Sequence, residues 1–209
     1  LAVATAVAPA TGAPLIAIDP GHGGGDSGAT GTLPPGTATG LTPRIDADGQ
    51  TRIYEKDVNL DVAQRVNAAL TARGYGTLMT RTQDLAGGDV PYTTTGADLS
   101  ARTDLANNAK ADLFVSIHSN ALSETSSGTE TYHFYYAGAG SQALAALIHE
   151  RVVASLGLPD RGIKTAGFYV LKNTTMPAVL VEGAFLSNPT EALRLADPNV
   201  RQVLADAIT

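Results

Sequence analysis

The 209-residue sequence contains no cysteine and no tryptophan. Without cysteine the chain cannot have a disulfide framework, a thiolate zinc cluster or a cysteine nucleophile. Basic residues are also few, because 14 Lys and Arg stand against 20 Asp and Glu and give a net charge of −6. This balance argues against a basic groove for nucleic acid and against a polybasic membrane patch. No apolar run approaches the roughly 20 residues of a membrane-spanning helix, so we expect no membrane span.

The length favours a single domain preceded by a short tail. Residues 1–14 are rich in Ala, Val, Thr and Pro, and we interpret them as a flexible tail or linker ahead of a domain at 15–209. Such a tail is compatible with a secretory leader before it, and equally with a plain linker.

Apolar runs bounded by turn residues alternate with segments of helical period, which predicts an α/β fold. The predicted strands are residues 15–18, 75–80, 113–117, 129–136, 168–171 and 178–181. The predicted helices are 57–73, 99–109, one capped by Ser141 and ended by Gly157, and two that begin at Asn188 and Asp197. Segment 30–52 is rich in Gly, Thr and Pro and shows no period, which predicts a long loop of functional interest.

Polar side chains follow three of the predicted strands directly. His22 comes after the first strand, His118 after the strand at 113–117, and Glu182 after the strand at 178–181. In an open α/β sheet the carboxyl ends of parallel strands meet at one edge, where ligands bind. Glu55, at the start of the helix near residue 57, can join them there.

Two imidazoles and one carboxylate leave an open position on Zn²⁺, as in a catalytic zinc site. His22, Glu55 and His118 are that set, with Glu182 as the general base. Each has a plainer reading: a lone histidine after a strand is more often a capping residue, and Glu55 could merely complement the helix dipole. Glu182 is harder to dismiss, because a carboxylate after a buried Val-Leu-Val run must be paired or bound to a metal.

Further polar residues are candidates for holding the histidine rings in one tautomer. These are Asp19, Asp26, Asn120 and Glu130. Asp19 is equally well placed as a turn residue, and Asn120 could instead touch substrate or cap a loop. Glu130 lies near the site only if its strand borders His118.

Four separated segments carry a resemblance to a known family. They read IAIDPGHGGGDSGA at 16–29, YEKDVNL at 54–60, SIHSNA at 116–121 and VEGAFLSN at 181–188. Together they resemble the N-acetylmuramoyl-L-alanine amidase family, the type 3 zinc amidases that trim bacterial peptidoglycan. The similarity runs in order over roughly residues 15 to 208.

The resemblance implies a single-domain, mixed and mostly parallel sheet with helices on both faces, of the phosphorylase/hydrolase-like type. It assigns one Zn²⁺ to His22, Glu55 and His118, and catalysis to Glu182. It also implies that residues 15–209 form a zinc-dependent amidase domain.

The implied substrate is the lactyl amide between N-acetylmuramic acid and L-Ala in peptidoglycan, outside the cytoplasmic membrane in the periplasm or cell wall. Some relatives insert a helix that blocks the zinc until a partner moves it. The connection 83–98 is too short for that helix, so we expect an uncovered site. With a net charge of −6, the chain is not attracted electrostatically to an anionic cell wall. A targeting domain or an activator outside this chain is therefore compatible with the sequence.

Two alternatives stay open. A zinc carboxypeptidase-like exopeptidase can share this architecture, but such enzymes usually take two ligands from a His-x-x-Glu segment, and here His22 is followed at that spacing by Gly25. A non-catalytic cell-wall binding module would be expected to lack a ligand, and none of the four residues is missing.

Overall fold

The structure, a computed structural model, describes residues 6–8, 12–42, 44–45, 47–91 and 93–209. Over these residues the chain forms ten strands and six helices. The strands are β1 Ala6–Val7, β2 Leu15–Pro20, β3 Thr30–Leu33, β4 Arg44–Ile45, β5 Thr51–Tyr54, β6 Gly76–Met79, β7 Leu113–Asn120, β8 Thr129–Phe134, β9 Asp160–Ala166 and β10 Ala178–Phe185. The helices are α1 Glu55–Ala72, α2 Thr95–Asn108, α3 Ala139–Leu156, α4 Tyr169–Lys172, α5 Pro189–Ala196 and α6 Pro198–Ile208.

Seven strands form one mixed sheet in the order β1-β6-β2-β7-β10-β8-β9. The four central strands β6, β2, β7 and β10 are parallel to one another. The outer strands break the pattern, because β1 is antiparallel to β6 and β8 is antiparallel to β10, while β9 runs parallel to β8. The predicted α/β fold with a mixed, mostly parallel sheet is therefore confirmed.

Helices cover both faces of this sheet, because alternate side chains of its buried strands point to opposite sides. Ile18, Val115 and Val181 pack in a core with α1, α3, α5 and α6. Ala17, Phe114 and Leu180 face the other way and pack with α2 and α4. His118 and Glu182 follow the parity of Phe114 and Leu180, so both lie on the α2 and α4 side.

Neighbouring parallel strands bring the predicted polar residues to one edge of the sheet. β2 pairs with β7, and β7 pairs with β10 with His118 directly opposite Glu182. Both side chains lie within strands that run further than predicted, rather than just after them. His22 follows the end of β2 by two residues.

Local signals set several helix boundaries as predicted. Asn188 caps α5 by accepting hydrogen bonds from two backbone amides, and Asp197 caps α6. Gly157 ends α3 in the left-handed conformation. The prediction for Ser141 is wrong, because α3 begins at Ala139 after Gly138, and the Ser141 hydroxyl instead accepts a hydrogen bond from the Ala178 amide.

The strand predicted at 168–171 is wrong, because these residues belong to the short helix α4. Backbone bonds from Leu171 and Lys172 to the Phe168 carbonyl close its turn. A short apolar run fits a strand or a buried helix equally well, so its period could not decide. Both edges of β10 are already paired, with β7 and β8, and the segment packs under the sheet instead.

The loop predicted at 30–52 contains part of a second sheet, of three strands in the order β3-β5-β4. Burial alternates along β3 and β5, but the glycines and threonines in this segment hide the period in the sequence. Strand β9 was missed for a similar reason. It is an edge strand with Asp160, Arg161, Gly162 and Lys164 among its seven residues.

The structure describes part of the tail predicted at residues 1–14. Ala6 pairs with Leu78, and Val7 pairs with Thr77, at the edge of the main sheet. Residues 1–5 and 9–11 lie outside the described residues. Among the helices described, none combines the length and the apolar character needed to span a bilayer.

The cap of α5 makes a stability prediction. Asn188→Ala removes the acceptor for the amides of Thr190 and Glu191 and the bond from Asn188 to the Ser126 carbonyl. We expect a loss of about 1 to 2 kcal/mol in the free energy of unfolding, measured by urea denaturation. Asn199→Ala, in the exposed first turn of α6, is the matched control and should change it by less than about 0.5 kcal/mol. Equal effects of the two substitutions would contradict the role of the cap.

Candidate active site

His22, Glu55 and His118 come together at the carboxyl edge of the sheet. One ligand atom from each lies within 4.8 Å of the others. Glu55 is central, with Oε2 3.2 Å from His22 Nε2 and Oε1 2.9 Å from His118 Nδ1. Two imidazoles and a carboxylate are a donor set that suits a divalent transition metal such as zinc. The residues present therefore fit a metal ion with an open coordination position.

The carboxylate of Glu55 is held from several directions. Glu55 is the first residue of α1, and its side chain is buried. The backbone amides of Ala29 and Ser119 donate to it at 2.8 and 3.1 Å, and the side-chain Nδ2 of Asn59 donates to it at 3.2 Å. These bonds orient the carboxylate before any ligand arrives.

His22 is held in a conformation that few non-glycine residues adopt. Its φ is 60°, and its ring Nδ1 lies 2.8 Å from the Asp26 carboxylate. This bond leaves Nε2 facing Glu55, so the structure places Asp26 where the sequence predicted a ring-orienting group. The rings also need glycine neighbours: a Cβ on Gly21 would lie 2.2 Å from the His118 ring, and one on Gly28 would lie 2.6 Å from Glu55 Oε2.

Two buried arginines hold the backbone beneath His22. Arg102 donates to the carbonyls of Pro20 and His22 at 2.7 and 2.6 Å, and also pairs with Asp19 and Asp98. Arg81 donates to the carbonyls of Pro20, Gly21, Lys56 and Gln83. Burial and the neighbouring Arg102 lower the pKa of Arg81 to about 10, which leaves it charged at neutral pH.

Asp19 does not contact a histidine ring. Its carboxylate accepts hydrogen bonds from Arg102, Thr80 and Ser116 at 2.8, 2.6 and 2.6 Å. The idea that Asp19 orients a ring is therefore wrong. It anchors Arg102 instead.

Glu182 differs from the other acids because one of its oxygens has no partner. Among the described residues, no group hydrogen-bonds the buried Glu182 Oε2. Burial raises the pKa of Glu182 well above its usual range, and the negative charge of Glu55 raises it further. An unpartnered buried carboxylate is costly, and such groups concentrate at functional sites.

A cavity of about 330 Å³ opens beside these residues. His22, His118 and Glu182 lie along one side of it. The apolar part of its wall comes from α2 and from the segment around α4, namely Leu99, Phe168, Tyr169 and Val170, beside the polar Asp98 and Arg102 of α2. α2 begins at Thr95, and among the described residues between Gln83 and Thr94 there is no helix.

Glu130 lies on β8, on the far side of Glu182 from His118, whereas Asn120 lies on β7 with His118. Glu130 is directly opposite Glu182 in the pairing of β8 with β10. It accepts bonds from Arg161 and Lys164, each at 2.6 Å, from the Tyr132 hydroxyl at 2.5 Å and from Asn120 at 3.0 Å. Neither Asn120 nor Glu130 contacts a histidine ring, so the two belong to this neighbouring cluster.

Opposite charges within the site shift the pKa values of Glu55 and His22. Burial would raise the pKa of Glu55, but His118 and His22 outweigh it and hold that pKa well below its usual range. Burial likewise opposes charge on His22, but Glu55 and Asp26 raise the pKa of His22 to about 9. The site therefore favours positive charge between its carboxylates.

The sequence did not identify Arg102, Arg161 or Lys164 as important. The i,i+4 spacing of Asp98 and Arg102 was a weak signal, but it is also the pattern of a solvated helix surface. No sequence pattern pointed to Arg161 and Lys164, because the strand that carries them, β9, was not predicted.

Comparisons with known proteins show the family to which the chain belongs. The family model described as N-acetylmuramoyl-L-alanine amidase matches residues 16–209. The chain belongs to the N-acetylmuramoyl-L-alanine amidase family. Among solved members, an amidase from Clostridium difficile 630 is 33% identical with a TM-score of 0.76, covering 94% of this chain and 92% of that one. The catalytic domain of CwlV from Bacillus (Paenibacillus) polymyxa var. colistinus is 34% identical with a TM-score of 0.73, covering 93% of each chain.

A curated family member is longer than this chain. N-acetylmuramoyl-L-alanine amidase LytC of Bacillus subtilis is 40% identical over 195 residues. The match covers 92% of this chain but only 34% of LytC. The shared part is thus the domain described above.

The Glu130 cluster makes a pH prediction. Burial alone would raise the pKa of Glu130 from 4.5, but bonds from Arg161, Lys164 and Tyr132 lower it to about 2. A depressed carboxylate pKa contributes stability above the unfolded pKa and loses it as pH falls towards the folded pKa. Glu130→Gln should therefore destabilise the protein at pH 7, because it removes the charge that pairs with Arg161 and Lys164. We expect a loss of only about 1 to 2 kcal/mol in the free energy of unfolding, since solvent screens these two cations, which are about a third exposed.

That difference between wild type and Glu130→Gln should shrink as pH falls from about 4.5 towards 2. Urea denaturation at a series of pH values measures it. Glu150→Gln, at an exposed position on α3, is the control and should show little difference at any pH. A Glu130→Gln effect that stays constant down to pH 3 would rule out the ion pairs as its source.

Proposed function

We propose that this chain is a zinc-dependent peptidoglycan amidase that hydrolyses the lactyl amide between N-acetylmuramic acid and L-alanine. The observation that carries the proposal is the meeting of His22, Glu55 and His118 at one edge of a cavity, with the unpartnered Glu182 beside them. Family membership supports the choice of amide over other substrates. We further infer that the chain acts where peptidoglycan lies, in the periplasm or cell wall.

In this proposal His22, Glu55 and His118 hold one zinc ion. Asp26 keeps His22 Nδ1 occupied, so that Nε2 is available as the ligand. When bound, zinc supplies a Lewis acid that polarises the substrate carbonyl and makes water a nucleophile at neutral pH. All remaining steps fall to side chains of this chain.

Glu182 is the general base and then the general acid. Its carboxylate takes a proton from the water that attacks the lactyl carbonyl carbon. As the carbon–nitrogen bond breaks, Glu182 gives that proton to the departing amine of L-Ala. Burial raises the pKa of Glu182, which makes its carboxylate a stronger proton acceptor than an exposed one.

The apolar wall of the cavity orients the substrate in this proposal. Leu99, Phe168 and Val170 line the same cavity as His22, His118 and Glu182. They offer apolar contact to the lactyl and alanyl methyl groups.

Mass spectrometry of purified peptidoglycan after digestion tests the function. We expect released peptides with a free L-Ala amino terminus, formed by the zinc-loaded protein and abolished by a chelator. Stems shortened from their carboxyl end would assign a carboxypeptidase-like activity instead. Wall binding without any product would favour a binding module.

Substitution of Glu182 separates catalysis from metal binding. Glu182→Gln should lower the rate by about 10²- to 10⁴-fold while retaining its zinc, because it removes the proton acceptor and leaves the ligands intact. Glu55→Ala should lose the metal itself. Rates on peptidoglycan and zinc content by elemental analysis are measured together, with Glu150→Gln as control. A fully active Glu182→Gln would show the assigned role to be wrong.

A further inference from the structure

Beside Glu182, on the outer strands of the sheet, two cations share one buried carboxylate. Arg161 Nε and Lys164 Nζ both donate to Glu130 Oε1 at 2.6 Å. The Glu130 side chain is only 4% exposed, whereas those of Arg161 and Lys164 are 32% and 38% exposed. One cation would suffice to balance Glu130, so the cluster of three carries a surplus positive charge at the surface.

Both cations keep unused donors and fixed positions. The guanidinium of Arg161 lies 5.0 Å from the centre of the Phe185 ring, and Lys164 Nζ lies 5.9 Å from that of Tyr132. Arginine has five N–H donors and lysine three. Among the described side chains and backbone groups, only Glu130 accepts a hydrogen bond from either cation. Their free donors therefore face solvent in an ordered arrangement.

The rest of the site carries charges of both signs, and its cations are paired with carboxylates. His22 pairs with Asp26 and Glu55, and Arg102 pairs with Asp19 and Asp98. An anionic group on a bound substrate would meet those carboxylates there. Arg161 and Lys164 are where it would be attracted.

The distance from the reacting centre defines which substrate group can reach the cations. Glu130 is the cross-strand neighbour of Glu182, and the cationic groups lie beside Glu130. One to two strand spacings, about 5 to 10 Å, therefore separate them from the strand that carries Glu182. An extended peptide covers this distance in about two to three residues.

We propose that Arg161 and Lys164 form a subsite for a carboxylate on the second residue of the stem peptide, next to the L-Ala whose amide is cleaved. This inference rests on the proposed function, because it takes the scissile amide to lie beside Glu182. The subsite selects stems with a free carboxylate over stems in which that carboxyl is amidated. Arg161 supplies two further N–H groups in a plane, the geometry that pairs with a carboxylate.

Two synthetic substrates test the subsite: muramoyl-L-Ala-D-Glu and the same compound with both glutamyl carboxyls as carboxamides. We expect the zinc-loaded wild type to have a kcat/KM about tenfold higher for the carboxylate, as for a hydrogen bond to a charged group. Lys164→Gln and Arg161→Gln should bring this ratio close to one. Lys164→Arg should keep it, because the charge remains, and Lys110→Gln, at an exposed lysine after α2, should keep it as well.

A wild-type ratio of one would overturn the subsite while leaving the amidase function intact, and so would a ratio unaffected by Lys164→Gln and Arg161→Gln. Calorimetric binding of L-Ala-D-Glu and its diamide provides a test that needs no turnover. Tighter binding of the carboxylate, lost in Lys164→Gln, supports the subsite even if neither muramoyl compound is cleaved. Tighter binding without cleavage would count against the proposed reaction but not against the subsite.

Discussion

The buried pairing of Arg102 with Asp19 is the interaction on which the site depends most. Asp19 lies in β2 and also accepts hydroxyl bonds from Thr80, after β6, and Ser116, in β7. Arg102, which Asp19 holds in place, donates hydrogen bonds to the carbonyls of Pro20 and His22. A buried ion pair rarely stabilises a fold by itself, because desolvation offsets the attraction. Here nearly every donor and acceptor is satisfied, and the result is a fixed position for a histidine with an uncommon backbone conformation.

Three glutamates of the site have different pKa values because their surroundings differ. Glu55 is surrounded by donors and histidines, which keep its pKa low. Glu130 accepts four hydrogen bonds, two of them from cations, and its pKa falls to about 2. Glu182 lies between them in the same sheet edge but has an unpartnered oxygen, and burial raises its pKa. Burial without a partner thus shifts the pKa of one carboxylate upward, while charged donors shift the pKa values of the other two downward.

Much of this arrangement could be predicted from local patterns. Buried strands of the central sheet are short apolar runs closed by turn residues, and the caps at Asn188 and Asp197 act within one helical turn. Polar residues that follow parallel strands meet because such strands end at one edge. Elements held mainly by tertiary contacts were not predictable in this way. Strand β9 has a charged sequence and is ordered by pairing with β8, and α4 is helical although its apolar run fits a strand equally well.

Four sequence segments carry the resemblance to the amidase family. Apart from that resemblance, the sequence by itself determined the fold class and four chemically capable residues, three after predicted strands and Glu55 at a predicted helix start. These follow from period, spacing and residue type, which act over short distances along the chain. Only the tertiary structure decided what surrounds those residues. Asp26 contacts His22, Asp19 anchors Arg102, and Glu130 gathers Arg161 and Lys164. Apart from the local contact of Asp26 with His22, these contacts join segments that are distant in the chain. Their energies depend on burial, which only the packed chain defines.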